Sequence, residues 1–383
     1  MNTSIESPIV LSFFSGAGFL DLGFENAGFT ISFVNEFHEP FLRVYKYARE
    51  RIGVAPPRFG WSSDDVNTFL GDDSRVSEMV RELHQEGRLV GFIGGPPCPD
   101  FSVGGKNRGR NGDNGKLSLS YVRLILENQP DFFLFENVKG LWRTARHREF
   151  YEELKNLLHE GGYSTVERLT NALEFGAPQD RDRILLIGLK RAITKPRYYS
   201  GDELLDFPWS RYMTYSLEDV KSVPWPSRTP FSEGSVLPMP SEIEGFERLT
   251  VNYWFELNDV TNHPNANRFF VPRGGIIRMQ TVDEGDDSKK SYKRLHRWRY
   301  SPTVAYGNNE VHLHPFHARR LTVSEALALQ SLPRSFELPN DMTLTDSFKT
   351  IGNGVPYLLA RGTAQSLRDY LADAVMISSI QEG

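Results

Sequence analysis

Short apolar runs alternate with amphipathic segments through the first half of the chain, the rhythm of a parallel sheet covered by helices. Strands are expected at Ile9–Phe14, Ile31–Asn35, Val90–Ile93, Asp131–Phe135 and Ile184–Leu189. Phe132 to Phe135 and Ile184 to Ile187 are apolar at every position, which suits strands buried on both faces. Between strands, Phe41, Val44, Tyr45 and Ala48 share one helical face, as do Phe150, Leu154, Leu157 and Leu158 ahead of a Gly161-Gly162 stop.

The rhythm fails after about Lys190. Residues 191–315 are rich in Pro, Trp and Tyr, hold loop-like stretches such as VPWPSRTPFSEGS, and show no clear helix, so they read as an inserted, irregular second domain. Helical signals then return. Thr322 stands three residues before Glu325 in a capping-box pattern, and a last helix is expected from Pro356 with Ala360, Ala364, Leu367 and Leu371 on its buried face. The expected division is a catalytic and cofactor-binding domain at 1–190, completed by 341–383, with a second domain at 191–340.

Charge changes this picture locally rather than globally. The 44 Lys and Arg against 49 Asp and Glu leave a net charge of −5, which argues against a protein that coats nucleic acid without selectivity. Yet Lys289, Lys290, Lys293, Arg294, Arg297 and Arg299 crowd one stretch with Tyr292 and Trp298, and Lys106, Arg108, Arg110 and Lys116 crowd a glycine-rich one. Either run is a solvated face or a nucleic-acid contact. No window reaches the roughly 18 apolar residues of a membrane span. The start, MNTSIESPIV, has no basic region followed by an apolar core, so a soluble intracellular protein, with no membrane partner, is expected. The three histidines His312, His314 and His317 lie in an expected loop, where metal binding is not expected.

Candidate chemistry gathers at strand ends, where open α/β sheets keep their sites. The first strand runs into Ser15-Gly16-Ala17-Gly18, a turn that lets a ligand approach the backbone, although Asp21 stands where a dinucleotide fold wants a third glycine. Glu36 ends the next strand and can accept ribose hydroxyl hydrogens. Phe37 beside it can stack on adenine, and Asp64-Asp65-Val66 offers a carboxylate to an adenine amino group. The single cysteine, Cys98, lies in GGPPCPDFS directly after a strand, its thiol flanked by Pro97 and Pro99. Glu136 leaves the next strand at the same edge, and Arg181 and Arg183 enter another.

Taken in order, these segments resemble the motif set of the DNA (cytosine-5)-methyltransferase family, of the prokaryotic restriction-modification type. The resemblance rests on FSGAGFLDLGF, NEF, SDDV, GGPPCPDFS, FENVKG, QDRDR, RRLTVSEALALQSLP and IGNGVP, which span both ends of the chain. It implies an α/β fold: a Rossmann-like S-adenosylmethionine-dependent methyltransferase sheet with a second, smaller irregular target-recognition domain. It implies that Cys98 attacks carbon 6 of a flipped-out cytosine, with Glu136 on N3 and the amino group, Arg183 on O2, and Arg181 helping to position loop or base. For S-adenosylmethionine, released as S-adenosylhomocysteine, it implies Phe14, Gly16, Gly18, Phe19 and Leu20, then Glu36 and Phe37, Asp65 and Val66, Pro97 and Leu117, and finally Asn353, Gly354 and Val355. For duplex DNA the expected contacts are Ser102, Lys106, Arg108, Lys289, Lys290, Lys293, Arg294 and Arg297. The departure is Pro99, where the family usually has Gln.

Three rival readings are an RNA cytosine-5 methyltransferase of the transfer-RNA type, a silent DNA-binding homologue and a dinucleotide oxidoreductase. The long insertion favours DNA, the intact Cys98, Glu136 and Arg183 disfavour silence, and the oxidoreductase leaves GGPPCPDFS unexplained. A monomer is expected, with a cognate endonuclease acting on the same site but outside any stable complex.

Overall fold

The structure, a computed structural model, describes residues 7–97, 113–272, 274–289, 291–304, 306 and 311–376. Cys98, Ser102, Lys106, Arg108 and Lys290 lie outside the described residues. The chain opens with β1 (Ile9–Phe13), α1 (Phe19–Asn26), β2 (Thr30–Asn35), α2 (Glu39–Arg51), β3 (Trp61–Ser62), α3 (Arg75–Gln85) and β4 (Val90–Gly94). It continues through α4 (Asp113–Asn128), β5 (Phe132–Val138), α5 (Gly140–Arg143), α6 (Ala145–Glu160), β6 (Tyr163–Asn171), β7 (Gln179–Asp180), β8 (Asp182–Lys190), β9 (Tyr199–Ser200) and β10 (Glu203–Leu204).

Nine strands form one sheet in the order β3-β2-β1-β4-β5-β8-β6-β10-β9. Every expected strand is present within a few residues at its ends, but not every direction is as expected. β1 to β5 pair in parallel, whereas β8 runs antiparallel to both β5 and β6. That reversal matters for chemistry, because the first residues of β8 then lie beside the last residues of β5. Leu20, Phe24 and the face of the C-terminal helix pack on one side of the sheet; α3, α4 and α6 pack on the other. Phe132 to Phe135 are at most 1% exposed, and burying four such side chains is worth roughly 6–12 kcal/mol before entropy.

Beyond β8 the sheet still takes up β9 and β10, so regular pairing outlasts the expected boundary at residue 190. The irregular stretch does hold helices: α7 (Leu217–Ser222), α8 (Val251–Leu257) and α9 (Ile276–Thr281). At six or seven residues each, they are too short to show a helical period in the sequence. β11 (Ser301–Pro302) then pairs with β7 and ties this stretch to the segment carrying the arginines.

The chain closes with α10 (Val323–Leu329), α11 (Leu344–Asn353) and α12 (Tyr357–Ala374). The expected capping box is there: Thr322 Oγ1 accepts from the Glu325 N–H at 3.2 Å, and Glu325 Oε2 accepts from the Thr322 N–H at 2.8 Å. Pro356 is the N-cap of α12 rather than its first residue, and Ala360, Ala364, Leu367 and Leu371 are all buried. Among the described residues no helix is long and apolar enough to cross a membrane.

Candidate active site

The turn after β1 is held in an unusual backbone shape. Phe14, Gly16 and Gly18 all have positive φ, at 54°, 57° and 77°. A side chain at Gly18 would meet the Tyr45 ring at 2.4 Å, whereas one at Gly16 would meet nothing within 4 Å, so the turn is packed below and open above. Glu36 braces it. Its Oε2 accepts from the Gly16 N–H and its Oε1 from the His38 N–H, each at 2.8 Å, while burial pushes the carboxyl above its ordinary range. Each oxygen keeps a lone pair for a diol.

Phe37 is 68% exposed beside Glu36, a free aromatic face. Asp65 is exposed and commits Oδ1 to the N–H and amide of Asn67, leaving Oδ2 outward. An open glycine turn, a diol acceptor, an aromatic face and a second acceptor fit an adenosyl group. Asn353 is exposed, Leu117 is half-buried, and Gly354 lies against the Phe19 ring. The side chains of Phe19, Leu20, Val66 and Val355 are in the core. Burial leaves these four only backbone groups to offer a ligand, and at Phe19 and Leu20 the first N–H groups of α1 lack intrahelical acceptors.

Beneath the turn lies a charge cluster that sequence reasoning missed. Arg49 of α2 donates to the Gly18 carbonyl at 2.7 Å, pairs with Glu25 at 2.9 Å and lies 4.6 Å over the Tyr45 ring. Asp21, fully buried, accepts from Ser12 Oγ at 2.9 Å. Burial raises the carboxyl of Asp21 and pushes that of Glu25 up to about 7, against the pull of Arg49. Two acids share one cation here. The sequence signal was Asp21 itself, an acid inside an apolar helix face.

At the next strand ends the chemistry condenses. Glu136, near the end of β5, and Arg183, at the start of antiparallel β8, meet with Oε1 and Nε 2.6 Å apart. Burial pushes the Glu136 carboxyl upward, opposed by Arg183 and Arg181. Arg183 gives Nη1 to the Asp182 carbonyl at 2.8 Å. A side chain at Gly95 would stand 2.6 Å from Glu136 Oε2, so the segment leading through Pro97 toward Cys98 passes directly over this carboxylate. A buried carboxyl beside a guanidinium can bind a flat heterocycle carrying donors and acceptors in one plane.

Arg181 behaves differently from its neighbour. It donates Nη1 to the Val304 carbonyl at 2.7 Å and Nη2 to the Gly352 carbonyl at 2.8 Å, and it is 2% exposed. It clamps β7, the end of the irregular stretch and the IGNGVP segment together, so its role is positioning. Gln179 completes the clamp, accepting from the Val304 N–H at 3.1 Å.

The expected phosphate contacts in 289–299 need correction. Arg294 is fully buried and donates to the carbonyls of Met279, Val282, His314 and His317. Arg297 is 4% exposed and pairs with Glu284 at 2.8 Å. Both hold the second region together from inside. Lys289 is exposed and Lys293 half-buried.

The family model described as C-5 cytosine-specific DNA methylase matches residues 9–369. The chain is 53% identical over 365 residues to the Type II methyltransferase M.NmeDI of Neisseria meningitidis serogroup C, covering 95% of this chain and 84% of that one. It is 28% identical over 372 residues to the Type II methyltransferase M.FnuDI of Fusobacterium nucleatum, covering 95% of each. Among solved structures it resembles a putative DNA modification methyltransferase encoded within an E. coli prophage, with a TM-score of 0.57 and 23% identity over 95% of this chain and 99% of that one. It also resembles S. pombe Dnmt2 methyltransferase, with a TM-score of 0.56 and 13% identity over 95% and 98%. At such identities these structures speak for the fold alone.

Proposed function

The chain belongs to the C-5 cytosine-specific DNA methylase family, and on that premise we propose that it methylates a flipped-out cytosine within a specific duplex sequence through a covalent Cys98 adduct. It is a DNA (cytosine-5) methyltransferase of the restriction-modification type. By family, S-adenosylmethionine supplies the methyl group as a sulfonium electrophile.

The chain's own residues do the rest. Carbon 5 of cytosine is too weak a nucleophile unaided. The Cys98 thiolate forms a bond to carbon 6, and the ring's electron pair becomes available at carbon 5. Glu136 holds N3 and the exocyclic amino group, offsetting the charge that develops in the ring. Its raised carboxyl favours the protonated form that such a contact needs. Arg183 holds O2, and its contact with Glu136 keeps the two groups side by side. After carbon 5 takes the methyl, loss of its proton restores the double bond and expels Cys98. Glu36 takes the ribose hydroxyls of the donor, Phe37 its adenine face and Asp65 its amino group.

The observation that carries this reading is the Glu136–Arg183 pair lying against Gly95, three residues ahead of Cys98. We further propose that the enzyme acts as a monomer in the cytosol or nucleoid, protecting sites that a separate endonuclease would cut. Incubation with labelled S-adenosylmethionine and either duplex DNA or transfer RNA tests the substrate. Label in 5-methylcytosine of the duplex is expected; label in transfer RNA but not in DNA overturns the assignment.

A further inference from the structure

The strand carrying Glu136 leads straight into a segment that the charge pattern did not single out. From Val138 to Arg148 the chain reads VKGLWRTARHR, with Lys139, Arg143, Arg146 and Arg148 exposed and no acid among them. Lys139 pairs with Asp182 at 2.8 Å, next to Arg183, which pins the start of the segment to the rim of the site. Arg143, Arg146 and Arg148 form no ion pair among the described residues. Several exposed arginines elsewhere do, Arg43, Arg51, Arg58, Arg123 and Arg211 each holding a carboxylate, while Arg75, Arg81, Arg197 and Arg361 are scattered singly with none among the described residues.

Two of the three are also badly placed for the fold. Arg146 and Arg148 stand in the first turn of α6, a 16-residue helix with no acid in that turn, where the helix dipole disfavours cations. Arg143 ends the short helix just before it. Three guanidiniums in six residues, in a chain of net charge −5, stabilise the fold through no ion pair among the described residues and repel one another.

We infer that Arg143, Arg146 and Arg148 form a phosphate grip on the duplex DNA backbone beside the flipped cytosine. This rests on the function proposed above and names its partner surface. The segment begins two residues beyond Glu136, so a duplex whose base reaches that carboxylate brings its backbone to the same rim. Backbone contacts of this kind set orientation and affinity without reading sequence. They take over the role expected of Arg294 and Arg297, which the interior occupies.

The test compares the full-length enzyme with an Arg143→Gln/Arg146→Gln/Arg148→Gln variant, binding a random-sequence duplex across salt without turnover. Each lost phosphate contact lowers the slope of log affinity against log salt by about 0.9, so the slope should fall by about 2.7. Between roughly 50 and 200 mM salt, the gap between the two proteins should narrow about 40-fold. The matching Lys triple variant should keep the slope. An Arg43→Gln/Arg51→Gln/Arg58→Gln control, equal in charge change, should leave it within about one contact's worth. In turnover, the KM for DNA should rise while kcat at saturating DNA and the affinity for S-adenosylhomocysteine stay unchanged. An unchanged slope, or the same fall in the control, overturns the inference. Wild-type binding to DNA without methyl transfer would instead fault the proposed function and leave the grip standing.

Discussion

Replacing Arg49 by Met tests whether the buried charge cluster holds the cofactor turn. The change removes the cation shared by Asp21 and Glu25, the clamp on the Gly18 carbonyl and little volume. Stranding buried carboxylates costs about 3–5 kcal/mol if they stay charged. They can escape by keeping protons, and that gives the loss a pH signature. In the wild type the Glu25 carboxyl is pushed up to about 7 from an ordinary value near 4.5. Its raised folded value means that its stabilising proton is held below that window and lost as pH rises through it.

Without Arg49 both carboxyls rise further, so as pH passes through about 7 the folded variant keeps on Glu25 a proton that the wild type gives up, on average about half a proton more between about pH 6 and pH 8. Each such proton makes the deficit grow by about 1.4 kcal/mol per pH unit. Urea unfolding at about pH 6 and about pH 8 should thus show the variant's deficit widening by about 1.4 kcal/mol. Adding Glu25→Gln should remove most of that widening. S-adenosylhomocysteine affinity, measured by calorimetry, should fall in the single variant because Gly18 loses its clamp. A deficit that does not change with pH would refute the reasoning.

Other consequences follow from particular contacts. Arg294→Gln should cost about 3 kcal/mol or more in unfolding free energy, because buried carbonyls lose a charged donor, while any folded protein keeps the wild-type salt slope on DNA; a lower slope with intact stability would return Arg294 to the DNA interface. Gly95→Ala should drive the Glu136 carboxylate from its place and lower kcat at least tenfold with S-adenosylhomocysteine affinity unchanged. Wild-type kcat in that variant would show that the segment does not crowd Glu136.

Local patterns carried the strands, the capping box and the placement of Glu136 at a strand end, because buried strands are apolar throughout and acids at their ends stand out; Arg183 reaches that edge only through the direction of β8. The reversal of β8 was not legible: apolar runs have no direction. β6 escaped because YSTVERLTN is polar at most positions, its strand form coming from pairing with β8 along its whole length. Charge was the least legible feature. Arg294 and Arg297 read as DNA contacts, yet carbonyls and an acid take them inside, as Glu25 and the Gly18 carbonyl take Arg49, which no local pattern marked. Phe19 and Leu20 lie in the right motif, but helix rotation turns their side chains to the core.

The most direct measurement is covalent trapping on duplex DNA containing 5-fluorocytosine, which cannot lose its substituent at carbon 5. With S-adenosylmethionine the wild type should form a complex stable to denaturant, carrying the methyl group. Cys98→Ala should form none and transfer no methyl to ordinary DNA. Trapping or carbon 5 methylation that persists in Cys98→Ala would contradict the account.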